Sequence, residues 1–121
     1  MRYVALLTPG PAWVAGRTVY DQGPVIQRHL EAMRARYDAG ELLLGGPFTS
    51  GEQGIAVLDV VDESSAAALL DADPAVEAGV LVYDLTAVRA YFDAYDGTRT
   101  DARVDQLDPA GAAPSGGRRA S

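Results

Sequence analysis

The sequence predicts an α+β sandwich with the element order β-α-β-β-α-β. Three observations carry this. Four short, β-rich apolar runs lie at residues 2–8, 41–48, 54–61 and 80–86. Two stretches with helical spacing sit after the first and third of these runs. Gly, Pro and Asp punctuate the joins between them.

Each element has its own justification. Residues 2–8 (RYVALLT) read as a buried strand. Residues 9–21 hold Pro9, Gly10, Pro11 and Gly16, and read as a loop. Asp21 or Gln22 can cap a helix, with Pro24 in its first turn. That helix runs to about Ala39, and Gly40 suits the position just past its end. Residues 41–48 (ELLLGGPF) form a strand closed by Gly-Gly-Pro, and residues 49–54 form a turn. Residues 54–61 (GIAVLDVV) are the third strand. Asp62 caps a helix of Ala and Leu that reaches Ala72, with Ser64 and Ser65 at its opening. Asp73-Pro74 ends it, because the residue before proline is pushed out of the helical region. Asp73 can then cap a single turn closed by Gly79. Residues 80–86 are the last strand, and 87–95 a closing helical turn or an extended segment.

Two split βαβ halves make a ferredoxin-like sandwich, an antiparallel sheet with helices on one face. These strands show little polar alternation, so the opposite sheet face is apolar as well. A single subunit would expose it, and apolar patches of that size mark interfaces. The expectation is a homodimer with sheets packed face to face.

Composition narrows the function. The chain has 121 residues, 10 basic and 17 acidic, one histidine and no cysteine, for a net charge of −7. Every base is arginine. Absent cysteine excludes disulfides, a thiolate nucleophile and iron–sulfur clusters. A single histidine excludes a multi-histidine metal site within one subunit. Net negative charge argues against a nucleic-acid surface. No window approaches the roughly 18 apolar residues of a membrane span. No signal-peptide core is visible, so a cytoplasmic address is the default. Residues 1–96 read as one domain. Residues 97–121 hold two large aliphatics and no aromatic, and read as a flexible tail with four Arg and three Asp.

The stretch HLEAMRARYDAGELLLGGP, Gly54 at the start of a strand, and ALLDADPAVEAGV together resemble the YciI-like, or YCII-related, family. The resemblance covers roughly residues 1–95. It implies a ferredoxin-like subunit of the dimeric α+β barrel group. It also implies a site pairing the helix histidine, His29, with the aspartate before proline, Asp73. One activity associated with the family is elimination of chloride from a chlorinated hydroxyquinol. Two departures stand out: the Gly/Pro-rich loop carrying Trp13, Arg17 and Tyr20, and the short turn after Pro47. Both could border a pocket.

The residues themselves leave alternatives. Ile26, Leu30, Met33 and Tyr37 form one helical stripe, with His29 on its edge, about 60° from Ile26. Imidazole is the natural general base near neutral pH, or His29 is a packed side chain satisfied by a carbonyl. Asp73 can cap a turn, orient His29, or do both, since a carboxylate has two oxygens. Arg17 could clamp an anion, and Trp13 and Tyr20 could stack on a ring, or the loop is merely surface. Tyr3 and Tyr83 suit core positions with satisfied hydroxyls, and Tyr83 is also a candidate substrate contact. Asp59 and Asp84 interrupt apolar strands, at a sheet edge or in a pocket. No G-x-S-x-G and no phosphate loop is present, and the aspartates lack metal-loop spacing, so no metal or cofactor is expected.

The sequence therefore supports a small enzyme that moves protons on a cyclic, oxygenated molecule, by elimination or isomerisation, with His29 and Asp73 as its dyad. The alternative is a non-catalytic dimer that binds a small ligand or a protein partner. An alanine-rich chain whose basic residues are all arginine also hints, by association alone, at secondary metabolism.

Overall fold

The computed structural model describes residues 1–95. The expected tail at 97–121 lies outside the described residues. The order of elements is β1 (Arg2–Pro9), α1 (Val25–Asp38), β2 (Leu42–Pro47), β3 (Gly54–Asp59), α2 (Glu63–Asp71), α3 (Pro74–Glu77) and β4 (Leu81–Val88). A single 3-10 turn, Val19–Asp21, precedes α1. The four strands form one antiparallel sheet in the order β2-β3-β1-β4. The chain thus has the α+β, ferredoxin-like architecture that the element order predicts.

Register sorts the side chains. Tyr3 pairs with Leu58 and Ala87, and Ala5 with Ala56 and Leu85. Paired residues share a face, so these six look toward the helices. They meet Val25 and Ile26 of α1, and Ala66, Leu69 and Leu70 of α2, in one core. Burial also pushes the Tyr3 phenol above its usual pKa, with Asp62 and Glu63 adding to the shift. Val4, Leu6, Ile55 and Val57 occupy the other face and are only half-buried. Leu44 and Val82 are exposed there too. Asp84 pairs with Leu6 on the same face and is exposed, on edge strand β4.

Several boundaries differ from the sequence expectation. α1 begins at Val25 behind Pro24, which offers no side-chain cap. Asp21 is spent in the 3-10 turn, and Gln22 is buried and turned back into the preceding loop. β3 stops at Asp59, and β4 runs on to Val88, so residues 87–88 are strand. No helix follows through residue 95. Arg2 instead ties that segment down, its guanidinium reaching Asp93 and, at 2.8 Å, Asp59.

α1 shows a more consequential difference. Its inward residues are Val25, Ile26, His29, Ala32, Met33 and Arg36. At about 100° per residue they form one stripe with His29 at its centre, not its edge. Leu30 and Tyr37 are 54% and 57% exposed. A stripe drawn through apolar residues alone was rotated by the omission of the histidine. Among the described residues, no helix is long and apolar enough to cross a membrane.

Candidate functional site

The site begins with Asp73. Its backbone is extended, with φ −67° and ψ 131°, as proline at the next position demands. The carboxylate therefore folds over the start of α3, where Oδ2 accepts from the N–H groups of Ala75 at 3.0 Å and Val76 at 3.3 Å. Gly79, at φ +76°, closes the turn that follows. There the chain meets Gly10, where a Cβ would lie 2.4 Å from the Gly79 carbonyl oxygen. Only glycine permits this approach, which sets the start of the loop against the α3–β4 junction.

α3 packs on α1, and this brings the cap to His29. Nδ1 of His29 lies 2.8 Å from both Asp73 oxygens. The Asp73 side chain is 1% exposed and that of His29 13%. A buried carboxylate accepts, so Nδ1 is the nitrogen that carries the proton in the neutral ring. Nε2 keeps its lone pair. No partner holds Nε2 among the described residues, and no buried side-chain nitrogen or oxygen there lacks one. Nε2 is therefore reached by solvent.

His29 opens onto a cavity of about 130 Å³. Its walls are apolar: Ile26 and Met33 of α1, Leu7 and Leu42 of the sheet, and Trp13 and Val19 of the loop. Gly45 and Gly46 line it without side chains that would fill it. Tyr20, Glu52 and Gln53 are exposed and line it as well, which places them at the mouth. The Gly/Pro-rich loop and the turn after Pro47 thus both border the cavity.

Four of the six site residues expected from sequence come together. His29, Trp13 and Tyr20 line the cavity, and Asp73 stands directly behind His29. Two do not join them. Arg17 is exposed and contributes its carbonyl to Gln22 rather than a side chain to the cavity. Tyr83 faces the helices, where its hydroxyl donates to Asp71 at 2.7 Å. Asp59 sits at the sheet end against Arg2 and the N-terminal amine. Among the described residues, no three His, Asp or Glu side chains converge as metal ligands would.

Sequence reasoning missed Gln22, whose place before a helix suggested a cap. Its amide clasps the loop instead. Oε1 accepts from Val14 N–H at 2.7 Å, and Nε2 donates to the carbonyls of Val14, Thr18 and Arg17 at 3.0, 3.3 and 3.4 Å. Val19 N–H then donates to the Gly51 carbonyl at 2.9 Å, joining loop to hairpin. An amide supplies both acceptor and donors, which no other side chain of that length does. The only sequence signal was a polar residue beside glycine at the end of a Gly/Pro-rich loop.

Gln22→Ala strands several backbone groups, so it should cost about 2 kcal/mol of stability. The chain has one tryptophan, Trp13. Its emission in the folded variant should move to longer wavelength as the loop loosens. An unchanged emission maximum and midpoint would show that the clasp does not hold the wall.

Among curated proteins, none matches the sequence significantly. The family model of the YCII-related domain matches residues 1–89. Its span takes in the loop, the His29 helix, the Asp73 turn and all four strands, and the chain belongs to the YCII-related family.

Proposed function

We propose that this protein is a dimeric, cofactor-free enzyme of proton transfer, with His29 as acid/base and Asp73 as its positioning partner. One observation carries the reading: an imidazole held at Nδ1 by a buried carboxylate, with Nε2 unpartnered beside an apolar cavity. Nε2 takes a proton from a carbon beside a carbonyl, or from a hydroxyl. The electron pair left behind moves into the adjoining π-system. Asp73 balances the imidazolium that forms. The proton then returns at another atom, which is isomerisation, or a leaving group departs with its electron pair, which is elimination. No nucleophile and no metal takes part in this scheme. Trp13 stacks on the ring of a small cyclic, oxygenated substrate, and Tyr20 covers it at the mouth.

The second reading is a binding module. Capping alone accounts for Asp73, because Ala75 and Val76 already satisfy one of its oxygens. In that case His29 merely completes the hydrogen bonding of the carboxylate. Hydrogen exchange separates the readings. Small cyclic ketones in D₂O should exchange the protons beside their carbonyl faster with the protein present. His29→Gln should lower that rate by about 100-fold or more while the variant stays folded. A rate insensitive to His29→Gln removes the dyad from the chemistry.

Pairing of two subunits through the open sheet face would cover Val4, Leu6, Leu44, Ile55, Val57 and Val82. Val57 is central on β3, between β1 and β2. Val57→Asp should convert a dimer seen by light scattering into a folded monomer. A wild-type monomer at micromolar concentration would contradict the sheet-to-sheet arrangement.

A further inference from the structure

We propose that the cavity selects an uncharged ligand about the size of one six-membered ring and rejects anions of the same shape. The proposal rests on the reading of this cavity as the functional site and names the class of molecule it takes.

Size sets the first limit. The cavity of about 130 Å³ is close to the void of about 150 Å³ that holds a benzene molecule in a protein interior. A single ring fits, with a small substituent toward the mouth. A fused or phosphorylated ligand would stand mostly outside.

Charge sets the second. Among the described residues that line the cavity, only His29 and Glu52 can be charged near neutral pH. Neither offers a net positive centre. Protonated His29 beside Asp73 makes a neutral pair, and Glu52 at the mouth is negative. The arginines of the loop and of α1 supply no cation to the lining: Arg36 pairs with Glu41, Arg34 pairs with Asp38 at the surface, and Arg17 and Arg28 are exposed and line no part of the cavity. The N–H groups of Ala75 and Val76, which could have received an anion, are occupied by Asp73. A carboxylate entering here gives up its hydration and finds no cation in exchange. An uncharged ring gives up little and buries its faces against Trp13, Ile26 and Met33.

The test compares two molecules that differ in charge and hardly in shape, benzamide and benzoate. The full chain carries one histidine and one tryptophan, so the His29 ring protons and the Trp13 indole N–H are each a single NMR signal. At neutral pH, benzamide should shift both signals with saturation, and benzoate should bind weaker by a factor of about ten or more. His29→Gln leaves the cavity uncharged at that point and should keep the preference, read at Trp13. Benzoate binding as tightly as benzamide overturns the proposal, because a cation then reaches the cavity. Benzamide moving neither signal overturns it too, because the cavity then takes no such ring. A preference for benzamide alongside ketone exchange that ignores His29→Gln would leave this inference standing and sink the catalytic one.

Discussion

A carboxylate whose side chain is 1% exposed cannot stand alone in an apolar interior. Asp73 is stable only because three donors surround it: two backbone N–H groups at the start of α3 and Nδ1 of His29. That requirement links the two helices on one face of the sheet. It holds α3 in its single turn, draws α1 onto it, and gives His29 the tautomer that leaves Nε2 available. The same carboxylate therefore acts as a helix cap and as the group that orients the His29 ring. The two roles coexist because a carboxylate has lone pairs enough for all three donors: Oδ2 accepts from both backbone N–H groups, and Nδ1 lies 2.8 Å from each oxygen.

The rest of the site follows from that link. Once His29 is turned inward, Ile26 and Met33 turn inward with it, and the space between α1 and the β2–β3 hairpin becomes the cavity. The long loop after β1 would leave this space open. Gln22 prevents that by clasping Val14, Arg17 and Thr18, and the Val19–Gly51 hydrogen bond fastens the loop to the hairpin. The outcome is an apolar chamber with one basic atom in its wall. In the proposed chemistry such a lining benefits proton abstraction, since no arginine lines the cavity to compete for the imidazole.

Much of this was legible in the sequence, for physical reasons. Strands and helices were visible because apolar period and Pro/Gly punctuation report local structure directly. The Asp62 cap was legible for the same reason, and its carboxylate accepts from Ser65 N–H at 2.8 Å. Asp73 was readable as a cap from proline alone. The pairing with His29 needed the family resemblance, because nothing local links positions 44 residues apart. Three features escaped. The face of α1 was misjudged because its inward stripe includes His29 and Arg36, while Leu30 and Tyr37 stay exposed. Gln22 reads as a cap from its place before a helix, whereas its partners lie behind it in the chain. Arg17 and Tyr83 were drawn toward the site by chemistry alone, and backbone direction sends them elsewhere.

The central claim is that Asp73 fixes His29 with the proton on Nδ1 and the lone pair on Nε2. Nitrogen-15 NMR of the ring measures this directly, since each nitrogen reports whether it bears a proton, and the chain has a single histidine to observe. In the neutral ring the account predicts a protonated Nδ1 and an unprotonated Nε2, with a shift toward the opposite tautomer in Asp73→Ala. A neutral ring protonated at Nε2 in the wild-type protein would contradict it, because the nitrogen beside the cavity would then have no lone pair with which to take a proton.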